Sequence, residues 1–176
     1  PVPRGFSNGR GNAYETTLRD KKHGRIYRVV AKDAPAQAAR LDHNSPHGLV
    51  AALKSDNQLW RMHAQRLLVE RGNRDVVPAL TELVRDPAVD ALGFNLAAVH
   101  ALQTLHGLGA LDGSDVVAGA LKHPSAAVRR AAVNVAPRTE DSARQLRAGG
   151  ALLNDPDAQV RLATLLALAE MPAHAD

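Results

Sequence analysis

Two stretches decide the fold. Leu121-Lys122-His123-Pro124 is followed by Ala127-Val128-Arg129, and Leu153-Asn154-Asp155-Pro156 is followed by Gln159-Val160-Arg161 at the same offset. Working backwards, Leu83-Val84-Arg85-Asp86-Pro87 and Leu53-Lys54-Ser55-Asp56 occupy the same register, and Leu59-Trp60-Arg61 follows the latter. The leading leucines lie 30, 38 and 32 residues apart. Each turn precedes an Ala/Leu-rich run: His63–Val69, Leu96–Leu105, Ala131–Val135 and Leu162–Leu168. Recurrence at this period marks a repeat architecture.

The spacing has a physical reading. A single helix pair has two apolar faces and cannot cover both, so pairs stack and share a core. Ala64, Ala97, Ala98, Ala101, Ala131, Ala132 and Ala163 are small enough for helices to approach closely. Ser45-Pro46 reads as an N-cap followed by proline at the first helical position. The pattern predicts helices near 47–54, 56–71, 75–85, 94–106, 114–122, 125–135, 139–153 and 157–170. The second unit departs most, because Ala91-Leu92-Gly93-Phe94-Asn95 lengthens its turn and replaces Val-Arg.

This pattern resembles the HEAT-repeat family, whose units read helix, Asp/Pro turn, then a second helix carrying Val-Arg and spaced alanines. The resemblance covers residues 46–171 and is tightest in the third and fourth units. It implies an all-α fold: a HEAT-like α-solenoid of about four helix pairs, preceded by an extended N-terminal segment with one short strand.

Composition agrees. Aromatic residues are only 3% of the 176, so the core must come from Leu, Val and Ala, which suit packed helices better than a β-sandwich. With no cysteine, disulfides, thiolate catalysis and Cys-based zinc sites are excluded. No run of about 18 apolar residues exists to span a membrane. Beginning at Pro1 without a signal peptide, the chain reads as a processed or excised piece.

The pI near 9.9 invites a nucleic-acid reading, and the charge distribution argues against it. Residues 1–32 carry eight Lys/Arg against Glu15 and Asp20, a net +6, which leaves 33–176 at −2. The basic excess is confined to the N-terminal segment, with no broad positive face for a phosphate backbone.

Residues 1–24 are rich in Gly, Asn, Arg and Lys, without apolar periodicity. Gly24-Arg25-Ile26-Tyr27-Arg28-Val29-Val30 reads as one short strand. A lone strand cannot satisfy its backbone groups and needs a partner sheet. The division expected is a basic tail over 1–32, a linker over 33–45 and the helical repeat domain over 46–176.

Residues 12–30 are similar to the closing strand of soluble quinoprotein sugar dehydrogenases of the glucose/sorbosone dehydrogenase type. In those β-propellers a Gly-Arg-Ile-Tyr-Arg-Val stretch is the last strand. Large bacterial extracytoplasmic proteins of this kind, membrane-bound dehydrogenases or haem-binding proteins, continue into HEAT repeats and often end in a cytochrome c domain. Val99-His100-Ala101-Leu102-Gln103-Thr104-Leu105-His106-Gly107-Leu108-Gly109 also looks like the HEAT segment of that group. The resemblance implies a periplasmic or otherwise extracytoplasmic location and a non-catalytic spacer role. Its partners would be protein domains, chiefly neighbours in the same parent chain. The quinone cofactor (PQQ), calcium and haem c would belong to the parent, because the family's catalytic residues have no matching positions here. The alternative function is a HEAT-like nucleic-acid-binding module resembling the helical-repeat DNA glycosylases.

Candidate site residues follow from the repeat. Asp86, Asp155, Arg129 and Arg161 are expected to form a structural ladder along the turns; the competing reading is anion binding by aligned arginines. A partner surface is expected on the second helices, near Arg66, Gln103, Arg130 and Arg161, with Arg130 facing solvent. Asp155 and Asp157 read as an N-cap and a first-turn acid. His43 and His47 are separated by the Ser45-Pro46 helix start, and His100 and His106 share no helical face, so neither makes a metal pair. His63 and His100 are expected at packing positions, bonded to a neighbour. Trp60 and Phe94 are expected to pack. No Ser/His/Asp grouping supports a nucleophile. Gly9-Arg10-Gly11 lacks the strand-to-helix setting of a phosphate loop. Neither a catalytic nor a cofactor site is assigned.

Overall fold

The computed structural model describes residues 7–8, 14–15, 22–24, 29, 32–33, 40–111 and 115–172. The chain divides into two compact units, Pro1–Ala38 and Ala39–Asp176. In the first, β1 (Ser7–Asn8) and β2 (Tyr14–Glu15) form a short antiparallel ladder, with Ser7 opposite Glu15 and Asn8 opposite Tyr14. The strand expected over residues 24–30 lies outside the described residues, apart from Gly24 and Val29.

The second unit is all-helical. Its described residues form α1 (Pro46–Ala52), α2 (Gln58–Arg71), α3 (Val77–Arg85), α4 (Leu96–Gly107), α5 (Asp115–Ala120), α6 (Ala126–Val135), α7 (Glu140–Arg147) and α8 (Ala158–Ala169). Consecutive helices pack as pairs: α1 with α2, α3 with α4, α5 with α6, and α7 with α8. The second members also pack on one another in order, α2 on α4, α4 on α6 and α6 on α8, and α3 packs on α5.

Local chemistry sets the helix ends. Ser45 caps α1 by accepting from the Gly48 amide, with Pro46 opening the helix. Asn57, Asn95, Thr139 and Asp157 cap α2, α4, α7 and α8 through side-chain oxygens. Gly72 ends α2 at φ 69°, a left-handed conformation that costs a glycine little. Two expectations need correction. The seventh helix stops at Arg147 rather than near 153, because the backbone leaves the helical region at Ala148, ψ 114°, and a short 3-10 turn over Ala148–Gly150 follows, with Gly150 at φ 66°. Asp157 is the N-cap of α8, accepting from Gln159 and Val160; Asp155 is neither cap nor first-turn acid but lies two residues earlier, in the turn.

The core is aliphatic. Leu49, Leu53, Leu68, Leu80, Leu102, Leu105, Val128, Val133, Leu146 and Val160 are fully buried, with Ala64, Ala98, Ala101 and Ala132 between them. Alanine is what lets neighbouring second helices close up. Gly107 makes the same point at the end of α4, since a Cβ there would stand 2.7 Å from Val69 Cγ2 of α2. Trp60 is half-buried, whereas Phe94, expected to pack, is 42% exposed. The reason is a self-contained turn. Asp90 Oδ1 accepts from the Leu92 and Phe94 amides, and the Asp90 amide donates to the Phe94 carbonyl, which holds Phe94 away from the core.

Removing side chains from the two environments separates them. Leu102→Ala is expected to lose about 2–5 kcal/mol, while Leu166→Ala, 58% exposed, stays within about 0.5 kcal/mol of the parent. Urea unfolding followed by circular dichroism measures both.

Candidate functional site

The turns between paired helices share one construction. In each, a side-chain acceptor takes the amide two residues on. Ser55 Oγ accepts from Asn57 at 3.2 Å and Asp86 Oδ1 from Ala88 at 3.0 Å. His123 Nδ1 accepts from Ser125 at 2.9 Å and Asp155 Oδ1 from Asp157 at 2.9 Å. Such local bonds tighten a turn that has too few backbone partners.

A second device closes the same turns. Arg61 Nη1 donates to the Ser55 carbonyl at 2.6 Å, six residues back. Arg129 Nη1 repeats this on His123 and Pro124, both at 2.8 Å, and Arg161 Nη1 on Asp155 at 2.7 Å and Pro156 at 3.2 Å. These carbonyls belong to the turn, where no helix supplies an amide, and a guanidinium offers them a charged donor. The second pair has no arginine here. Asn95 Nδ2 takes its place, donating to the Asp86 and Ala88 carbonyls at 2.9 Å each.

Two contacts join successive pairs along this edge. Arg129 grips Asp155 with both prongs, Nε to Oδ2 at 2.7 Å and Nη2 to Oδ1 at 2.8 Å, and both side chains are largely buried. His123 Nε2 lies 2.9 Å from the Asp86 carbonyl. Because Nδ1 accepts from Ser125, the proton resides on Nε2, which is therefore the donor. The hydrogen bonds from Arg129 hold the Asp155 carboxyl below its ordinary value against the opposing effect of burial.

The expected ladder is thus only partly a set of Asp–Arg pairs. Arg129 and Asp155 meet; Arg161 serves its own turn's carbonyls; the Asp86 carboxylate takes an amide while its carbonyl takes His123 and Asn95. Four of the five N–H groups of Arg129 are engaged, which leaves little of that guanidinium for an external anion. Sequence reasoning missed Ser55, Arg61, Asn95 and His123. Part of the signal was present in the repeat register, where Ser55, His123 and Asp155 stand two residues after the leading leucine and Asp86 three.

The four residues expected at a partner surface differ in availability. Arg66 and Arg130 are exposed, Gln103 is half-buried, and Arg161 is half-buried against its turn. Arg66 also lies 3.5 Å from Glu70 on the same helix. More prominent are apolar side chains not foreseen: Leu59 and Met62 on α2, and Leu162, Leu165 and Leu166 on α8, all 49–58% exposed. A register shift of 32 residues places Leu162 and Leu166 where α6 has Arg130 and Asn134, and Leu165 where α6 has the fully buried Val133.

Among the described residues no group of three or more His, Asp or Glu could hold a metal ion. His43 and His47 are exposed and His63 is half-buried. His100 Nδ1 lies 2.7 Å from Gln65 Oε1; burial, and then the Arg61 charge, push its pKa below the ordinary value. No described helix is long and apolar enough to cross a membrane.

Asp155→Asn tests the inter-pair grip. It keeps an acceptor for the Asp157 amide and strands the Arg129 charge, at an expected cost of about 3 kcal/mol near neutral pH. The folded carboxyl titrates below its unfolded value, so its contribution is present above about pH 4 and is lost as pH falls through the folded value. The gap between parent and variant in urea unfolding should therefore narrow towards about pH 2.

Compared with protein-family models, curated proteins and solved structures, the chain matches none.

Proposed function

We propose that residues 46–176 form a HEAT-like α-solenoid of about four helix pairs that works as a non-catalytic spacer and interaction module. The observation that carries this is the turn construction repeated at Ser55, Asp86, His123 and Asp155, with the arginine clamp recurring at 61, 129 and 161. The second helices pack on one another in order, and a stack of such pairs suits a scaffold with one long row of second helices. The exposed leucines of α8 and the Leu59/Met62 patch of α2 suit contacts with neighbouring protein domains.

The parent protein in this reading is extracytoplasmic and quinoprotein-dehydrogenase-like, on the strength of the sequence likeness of residues 12–30. PQQ, calcium and haem c would act in the parent's other domains. A nucleic-acid role finds little support in a body whose net charge is −2 over 33–176.

The coding sequence on either side of this segment tests the parentage. A propeller upstream and a Cys-x-x-Cys-His motif downstream are expected; an unrelated domain on both sides would refute it. A titration of the isolated chain with duplex DNA at two salt concentrations separates the spacer from the alternative. The expected result is no saturable binding at either, whereas salt-dependent binding would favour the nucleic-acid module.

A further inference from the structure

Helix α8 presents apolar residues on two sides. Val160, Thr164 and Ala167 are buried, and α6 and α7 pack on the helix. On the other side Ala158, Leu162, Leu165 and Ala169 are exposed, the leucines at 49% and 57%, with Leu166 beside them at 58%. None of the five carries a charge. The preceding second helix differs: α6 has exposed Arg130 in the slot of Leu162 and fully buried Val133 in the slot of Leu165. What is charged or covered in α6 is apolar and open in α8.

The spacing of this stripe points to its occupant. Ala158, Leu162, Leu165 and Ala169 follow in steps of four, three and four residues, the seam spacing of two helices packed along their length. From either end the seam runs small, large, large, small. Laid antiparallel on a second copy of itself, Leu162 meets Leu165 and Ala158 meets Ala169. Bulky pairs then fill the centre, and small ones let the ends close. The acids at the two ends are already engaged, Glu170 by Arg138 and Asp157 by the amides of its own helix. A partner of unrelated sequence has no use for such a palindrome. A two-fold pair does, because its interface is one patch facing itself.

We infer that two copies of this chain pair through α8, antiparallel about a two-fold axis that passes between Leu162 and Leu165. This dimer presupposes the interaction-module reading of the second helices and gives it a partner. The driving force is removal of the leucine side chains from water. A helix of 12 residues is about 18 Å long, so one face of it covers less than the about 800 Å² per partner of a standard interface. The dimer is therefore weak and concentration-dependent.

Sedimentation equilibrium of the whole chain over about 5–500 μM measures the association. The average mass is expected to rise from one chain towards two across that range. Leu165→Glu, at an exposed position, should keep the circular dichroism of the parent and hold the mass at one chain. The chain has no cysteine, so Ala158→Cys and Ala169→Cys each place a single thiol at one end of the seam. On oxidation a mixture of these two variants is expected to cross-link in mixed pairs, several-fold more than either variant alone, whatever becomes of the glutamate variant. Three results would each overturn the proposal: a parent chain monomeric throughout, Leu165→Glu dimerising as the parent does, or either cysteine variant cross-linking with itself as readily as with the other. A monomeric parent would leave the spacer reading in place, since the flanking coding sequence and the DNA titration decide that separately.

Discussion

The stack depends on how the carbonyls of the turn inside each helix pair are satisfied. The last carbonyls of α1 and α5 are met by the amides that follow them, but those of the turn residues themselves have no helix to supply a donor. Here the donor comes from the second helix. Arg61, Arg129 and Arg161 each reach back six residues to the turn, and Asn95 does the same work with a shorter arm. The bond ties the second helix to the turn that precedes it.

Weighing the terms shows what each interaction decides. A neutral hydrogen bond contributes about 1 kcal/mol net, and one to a charged group somewhat more. Each buried leucine contributes about 2 kcal/mol, and there are seven fully buried leucines among the largest core side chains. Apolar burial therefore dominates stability, and the clamps choose among arrangements of the same apolar surface. The Arg129–Asp155 grip belongs to the second class. Its desolvation offsets much of its attraction, but losing one partner strands the other.

Much of this was legible in the sequence because the repeat writes the same chemistry several times. Eight helices, the Ser45-Pro46 start and the alanine-lined contacts follow from period and cap residues alone. The Arg129–Asp155 contact was half legible: both residues stood out, while their pairing across 26 residues needed the stack. His123 escaped notice because an imidazole nitrogen replaces a carboxylate oxygen as turn acceptor, a substitution visible only in atomic geometry. The end of α7 was not legible, because the apolar pattern continues past Arg147 while the backbone turns out of the helix at Ala148, ahead of Gly150 at a positive φ.

The sequence by itself determined the helical class, the number of pairs and the aliphatic nature of the core, since these rest on periodicity and side-chain size, which are local properties. Tertiary structure alone decided which charges are neutralised. Arg61, Arg129 and Arg161 occupy one register and make one kind of turn contact, yet only Arg129 gains a two-pronged carboxylate. That outcome depends on what the next turn brings to the guanidinium: Asp155 meets Arg129 with both oxygens, whereas the Asp86 carboxylate accepts from its own Ala88 amide and forms no ion pair with Arg61.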